Sequence, residues 1–494
     1  MVLPRILLGA LVAGGAAAAT AQAPSPRDIL IQNVTLISPE RRRPLAHADV
    51  IIRSGRIFAV GRHLAPARGA ERIDGRGRFL IPGLIDSHVH VSHSAALTDD
   101  EIDRHPDLWA AYRAQVPRAY LAFGFTTLVD LDMSDDARAW FESAPLHPRL
   151  RDCGRGVRVA GGYGAQHVVP ARRTAANFPN LVYEPAEAKD WPPALPPQDY
   201  TPERAVTRAA AAGAVCLKVF VEPGFGIFHW PVPHAATLAT LRRAATARGL
   251  VMMVHATGLD AWRASLDAHA DVIAHGIWVW PGDPHRIEPP ASVRQAIARA
   301  ARSGVRVQPT LQVVAGERAM LDPHILDDSR LAFALPRNLI EFLRTDEARA
   351  DARVLLNEYR SASSSAFEPL LEAAIARTHA TFRLMLKDHV HLLFGSDTPA
   401  GDGIGNPPGL NGRLEIQDWA EAGASPAQIL RAATLHNAAA LGMAQDLGTI
   451  TPGKRADLLL LDADPLLDVR AYDRIETIFL SGRPISRESL RPAD

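Results

Sequence analysis

The chain has little cysteine: Cys153 and Cys216 are the only two in 494 residues. That is too few for a disulfide framework. An oxidising compartment would permit one bond between them. Two free thiols fit the sequence equally well, because Cys216 sits in an apolar run. The chain also lacks an excess of charge, with 54 basic and 54 acidic residues. That balance excludes the electrostatic footprint of a nucleic-acid binder, and no basic stripe restores it. The densest basic run, Arg41-Arg42-Arg43, lies between Glu40 and Pro44 and reads as a solvated turn. Beyond the first residues, no apolar run approaches the roughly 18 residues of a spanning helix. Stable membrane insertion is therefore not expected once the N-terminal segment is removed.

That segment reads as a secretory signal over residues 1–23. Arg5 supplies the charge, Ile6 to Ala19 is apolar and Ala-rich, and Ala21-Gln22-Ala23 fits a small-x-small cleavage site. The mature chain is expected to start near Pro24, in the periplasm or outside the cell. No cysteine follows the apolar run, which argues against a lipoprotein anchor. An uncleaved N-terminal anchor is the competing reading.

The remainder is ordinary globular material, 47% apolar and 22% charged. Short alternating strands are expected at Asp28–Ile37, Ala48–Arg53 and Arg56–Gly61, and again near the end at Asp457–Asp462 and Thr477–Gly482. Two strand-rich ends around one long middle suggest a small β-sandwich domain, 24–80 plus 445–494. The middle, 81–444, alternates apolar strands with helices. Strands are expected at Leu84–His88, Thr126–Leu131, Val157–Gly161, Val215–Val221, Val251–His255, Val272–His275, Val305–Pro309 and His391–Ser396. Helices are expected at Pro202–Ala212, His234–Ala247 and Ser292–Ser303. This is the α/β pattern of a TIM-like (β/α)8 barrel. A helical insertion near 322–387, with Ser361–Ser365 as a break, separates the last two strands.

Reactive residues of such barrels sit at the C-terminal ends of the strands. His88 and His90 share one face of the first strand, because side chains alternate along a strand. Nineteen histidines will form some such pairs by chance. Lys218 lies inside the fourth strand, His255 and His275 end the fifth and sixth, and Asp397 follows the eighth. Each has a structural explanation when taken singly, such as a hydrogen-bonded histidine, a salt-bridged lysine or a capping aspartate. Together they do not, since an unpaired lysine in a buried strand is costly.

The motifs Ile81-Pro-Gly-Leu-Ile-Asp-Ser-His-Val-His90, Gly124-Phe-Thr-Thr-Leu-Val-Asp130, Gly213-Ala-Val-Cys-Leu-Lys-Val219, Val254-His-Ala256, Ile273-Ala-His-Gly276 and Gly395-Ser-Asp397 occur in this order. Ala433-Thr-Leu-His-Asn-Ala-Ala-Ala-Leu-Gly442 and Leu447-Gly-Thr-Ile-Thr-Pro-Gly-Lys-Arg-Ala-Asp-Leu458 follow. The chain resembles the amidohydrolase superfamily, and most its imidazolonepropionase-related and prolidase-like (Xaa-Pro dipeptidase-like) branch. The resemblance implies metal ligation by His88, His90, Lys218, His255, His275 and Asp397. It also implies two Zn2+ ions, an N6-carboxylated Lys218 bridging them, and Asp397 as the catalytic proton carrier.

Deaminase-type relatives carry a Glu shortly after the fifth-strand histidine. This chain has His255-Ala-Thr-Gly-Leu-Asp260 instead, which disfavours deamination. His167 and Tyr163, in Gly161-Gly-Tyr-Gly-Ala-Gln-His167, and His229, beside Phe225, Phe228 and Trp230, are candidate substrate contacts. Each also fits a packed loop. The expected activity is hydrolysis of an amide bond in a dipeptide or N-acyl amino acid. The same site acting on an ester, lactone or cyclic amide, and a catalytically silent secreted binding protein, are the alternatives. A small-molecule or short peptide-like partner and a homo-oligomer complete the expectation.

Overall fold

The structure is a computed structural model that describes residues 28–166, 168–350, 367–399 and 403–492. The expected signal segment, His167 and the Ser361–Ser365 break lie outside the described residues. Strands are numbered in chain order.

Both chain ends build one sheet. Its strands are β1 (Ile29–Leu36), β2 (Leu45–Arg53), β3 (Arg56–Gly61), β4 (Glu71–Asp74), β5 (Phe79–Pro82), β16 (Leu458–Leu461), β17 (Ile475–Leu480) and β18 (Arg483–Ser486). They pair in the order β18-β17-β16-β5-β1-β2-β3, with β4 on β1. The pairing is one continuous sheet, where the sequence suggested a sandwich. β5 is the seam: it runs parallel to β1 and antiparallel to β16, with Leu80 opposite Leu460 and Ile81 opposite Leu459. Sequence reading missed β4, β5 and β18, which are short.

β5 passes directly into the first strand of the larger part. Gly83 makes the junction, because a Cβ there would meet Thr126 Oγ1 at 2.1 Å. A sheet uniting the two termini thus leads straight into the strand bearing His88.

Eight parallel strand segments follow, with helices between most of them. β6 (Leu84–Val89), β7 (Phe125–Asp130) and β8 (Arg149–Asp152) form one sheet. After β9 (Arg158–Val159) and β10 (Leu181–Val182), which pair with each other, come β11 (Cys216–Phe220), β12 (Val251–His255), β13 (Val272–Ala274), β14 (Arg306–Gln308) and β15 (His391–Leu392). These last five form a second sheet in sequence order. Backbone bonds join the two at both seams. Val215 N–H donates to Asp152 O (2.9 Å) and Val157 N–H to Lys218 O (2.8 Å) on one side. Ser87 N–H donates to Phe394 O (3.2 Å) and Asp397 N–H to His88 O (2.8 Å) on the other.

The third strand differs from expectation. Its ladder segment is Arg149–Asp152, and the apolar run from Val157 only touches β11 beyond a kink at 153–156. Gly156 permits the kink, since a Cβ would lie 2.4 Å from the Phe220 ring. The charged side chains of Arg149 and Arg151 hid this strand from an apolarity reading.

The helices Pro202–Ala211, Ala235–Ala247 and Ala291–Ser303 match their expected spans within a residue. Thr201 caps the first by accepting the Arg204 N–H. Gly304, at φ +73, ends the third in the left-handed conformation. Helices Leu331–Ala334, Arg337–Leu343 and Phe367–Lys387 occupy the insertion between β14 and β15.

The strand interiors are closed below by a buried apolar layer that includes Ile85, Val129, Cys216, Met253, Val272 and Leu393. Cys153 and Cys216 are bonded within that layer, which resolves the two readings left open by sequence. Cys216 and Met253 lie two residues below Lys218 and His255. Strand alternation therefore sends those two side chains inward, one layer higher.

Candidate active site

Asp397 is the hub of the site. Its Oδ1 lies 2.9 Å from His88 Nε2 and 3.1 Å from His90 Nε2, and its Oδ2 lies 3.7 Å from His275 Nδ1. His88 Nε2 is also 3.2 Å from Lys218 Nζ. His275 Nε2 faces His255 Nδ1 at 2.9 Å. The structure thus gathers His88, His90, Lys218, His255, His275 and Asp397 into one contiguous buried group.

Three of these residues lie past the ends of their strands: His90 follows β6, which stops at Val89, and His275, expected within a strand, and Asp397 lie beyond theirs. β13 stops at Ala274 and β15 at Leu392. His275 and Asp397 take positive φ, +82 and +57. Non-glycine residues rarely adopt that conformation, and backbone bonds hold both here. His275 N–H donates to Gln308 O (2.7 Å) and Asp397 N–H to His88 O.

Burial dominates the electrostatics. It disfavours the charged amine of Lys218, whose pKa falls to about 8, and nearby Arg158 adds to the effect. It lowers His88 to about 3 and drives His255 and His275 below the usual histidine range. Burial pushes the Asp397 carboxyl up, but the adjacent His88 and His275 outweigh it and hold the carboxyl well below its ordinary value.

The donor set fits metal ions. His88, His90 and Asp397 offer ligand atoms all within 4.8 Å of one another. Neutral imidazoles and a carboxylate suit zinc. His275 Nδ1 pairs with Thr310 Oγ1 at 2.8 Å, so with its proton there its Nε2 lone pair faces His255. Two imidazole nitrogens at 2.9 Å call for a proton or a cation between them.

Tyr163 packs against His255, with ring centroids 5.0 Å apart, and stacks on Trp230 at 5.5 Å. Phe225 meets Tyr163 edge-on and Phe220 lies 5.6 Å from His255. These rings wall one side of the histidine pair. His229 is exposed and lines a cavity of about 450 Å³ with Trp230, Gln166, Arg173, Lys189 and Asp190.

Sequence reading missed several neighbours. Glu222 sits 3.4 Å from His255 Nε2, on the far side of that ring from His275. Its place at 222, in step with 218 and 220 on a period of two, was the available signal. Asp86 accepts from Ser396 N (3.0 Å) and His88 N (3.2 Å), bracing the first and last strands. His93 stacks on His90 at 5.2 Å.

The α/β fold thus carries, in one buried cluster, a group of side chains that could hold a metal ion. The amidohydrolase family model matches residues 79–485, and the chain belongs to that family. Adenine deaminase of Deinococcus radiodurans is 40% identical over 67 residues, 14% of this chain and 12% of that protein. Dihydroorotase of Trichlorobacter lovleyi is 38% identical over 80 residues, 16% of each chain. The chain thus matches only a small part of the length of these curated relatives.

Solved structures align over nearly the whole chain. Molinate hydrolase gives a TM-score of 0.67 at 19% identity, covering 95% of this chain and 97% of its own. A prolidase complexed with N-methylphosphonate-L-proline gives 0.66 at 21%, covering 93% and 100%. Ochratoxinase of A. niger gives 0.65 at 17%, covering 94% and 96%. At these identities the likeness establishes the fold, of the TIM-barrel type.

Proposed function

We propose that this chain is an exported, binuclear zinc amidohydrolase that cleaves an amide C–N bond in a dipeptide or N-acyl amino acid. One observation carries the reading: a single carboxylate, Asp397, touches three histidines, beside a buried lysine and a fourth histidine. His88 and His90 would hold one ion, His255 and His275 the other, with Asp397 as a further ligand and carboxylated Lys218 between them. Bound zinc would polarise the scissile carbonyl and lower the pKa of bound water.

The protein's own groups do the rest. Asp397, kept ionised, accepts the proton of the attacking water and returns it to the leaving amine. Burial shifts Lys218 toward the neutral form that carboxylation requires. The Tyr163, Phe220, Phe225 and Trp230 wall favours an apolar side chain on the substrate. The prolidase and Xaa-Pro dipeptidase among the structural neighbours support an amide substrate. Glu222 is the carboxylate nearest the His255 ring, yet both its oxygens are engaged. That occupancy speaks against a deaminase-type shuttle.

We place the domains at 24–80 with 445–494 and at 81–444, the latter a closed (β/α)8 barrel joined at its two seams. The buried Cys153–Cys216 bond supports export to an oxidising compartment. No helix among the described residues is long and apolar enough to cross a membrane. A homo-oligomer remains part of the proposal.

The test is a side-by-side screen of the zinc-reconstituted enzyme on Xaa-Pro dipeptides, N-acyl amino acids, lactones and cyclic amides. Turnover of a linear amide with an apolar side chain is expected. Turnover confined to lactones or cyclic amides would overturn the assignment.

A further inference from the structure

Glu222 is 1% exposed and is used in four directions. Its Oε1 accepts the backbone N–H groups of Gly224 and Phe225, both at 2.7 Å. Its Oε2 accepts the Thr257 hydroxyl and stands 3.4 Å from His255 Nε2. The loop it ties down is unusual. Gly224 has φ +123 and a Cβ there would overlap Phe228 O at 2.3 Å, while Phe225 is left-handed at φ +55. Two N–H groups aimed at one carboxylate oxygen hold that turn, and the turn presents Phe225 and Trp230 to Tyr163. The other oxygen faces the one nitrogen of His255 that does not point at His275.

We propose that Glu222 is a positioning residue that fixes His255 and the aromatic loop as a single unit. His255 Nε2 is buried without a hydrogen-bond partner, with the Glu222 carboxylate 3.4 Å away, and a proton on it leaves the Nδ1 lone pair facing His275. A carboxylate behind a ligating histidine orients the ring and raises its basicity. The pocket wall and one metal-ligating histidine therefore share one anchor, and displacing the loop perturbs metal binding. This inference rests on the metal-site reading above.

Glu222→Gln separates the two functions. The amide oxygen can still accept from Gly224 and Phe225, so the loop keeps its tie. The amide nitrogen is a donor, and a donor facing His255 Nε2 favours the wrong tautomer. Phe225→Ala perturbs the loop and leaves the carboxylate in place.

The measurement is zinc titration of the metal-depleted full chain by calorimetry, with circular dichroism of the metal-free proteins as the folding control. Wild type should bind two ions. Glu222→Gln should show wild-type dichroism and a 10–100-fold weaker second ion. Phe225→Ala should also weaken the second ion, by a smaller factor, and raise KM more than it lowers kcat. If wild type binds two ions and Glu222→Gln binds both with unchanged affinity, the positioning role is wrong. If only Phe225→Ala leaves zinc binding unchanged, the shared anchor is wrong. If wild type itself binds no zinc, the metal-site reading fails first. A misfolded Glu222→Gln is replaced by Thr257→Val, which removes one bond to Oε2 and should weaken the second ion in the same direction. Wild-type affinity in that variant would equally refute the role.

Discussion

The six site residues were legible because their chemistry contradicts their setting. A lysine in an apolar strand and histidines at successive strand ends have no shared structural purpose. Glu222 escaped notice because Thr257 and His255 reach it only in space, from the neighbouring strand's end, and a lone glutamate after an apolar run looks ordinary. His229 is close in sequence to the aromatic loop and lines a cavity that it shares with Trp230. The claim for Lys218 is direct. Lys218→Ala should lower kcat/KM by more than about 100-fold, beyond the range of an outer-shell change, and a short carboxylic acid should restore part of it. Full activity without rescue would remove the lysine from the site. A second residue concerns stability alone. Burial, then Glu421, raises the Asp418 carboxyl to about 7 from an ordinary 3.8. The folded state therefore binds a proton that the unfolded state releases between about pH 4 and 7. The associated stability is present below that window and lost as pH rises through it. Asp418→Asn should flatten the fall in urea midpoint between pH 4 and 8, with a gain of about 1–3 kcal/mol at the alkaline end. An unchanged slope would contradict the assignment.

At the scale of elements, long apolar strands and capped helices were read well, and broken ones were not. β12 is a continuous buried run, Val251–His255, and its boundaries match. The third strand is divided by a glycine kink that brings its second half to β11, a tertiary event that periodicity does not encode. The turn holding His275 was read as strand because its left-handed backbone depends on a bond to Gln308, distant in sequence, and the turn at Asp397 rests likewise on His88. The C-terminal signature also gains a physical meaning. Asn437 donates to Ile85 O (2.8 Å) and Phe394 O (2.7 Å) and accepts from Phe394 N (3.2 Å), stitching the first and last strands together beneath the site. The disulfide ties the residue after β8 to the start of β11, two residues below Lys218, and closes a separation of 63 residues. In the chain-entropy account such a loop contributes about 4 kcal/mol. A Cys153→Ser, Cys216→Ser double variant should lose stability of that order in a denaturant melt. A loss under about 1 kcal/mol would mean that the bond does not constrain the unfolded chain.

At the scale of the molecule, the termini and the site are parts of one arrangement. The sheet built from both ends leads through β5 and Gly83 into β6, so the strand that bears His88 and leads to His90 starts from a fixed platform. The overall α/β order, the pairing of the ends and the position of the site were readable in the sequence, because hydrophobic patterning is local. The identity of the substrate was not, because it depends on loops whose shape is set by contacts such as that of Glu222 with the backbone at 224–225. The central claim is that this architecture holds two metal ions between its four histidines, Lys218 and Asp397. Anomalous diffraction at the zinc edge from crystals of the zinc-loaded protein tests it most directly. Two peaks are predicted, one against His88, His90 and Asp397 and one against His255 and His275, with density for a carboxylated Lys218 between them. No peak at this site, or zinc bound only elsewhere, would contradict the account.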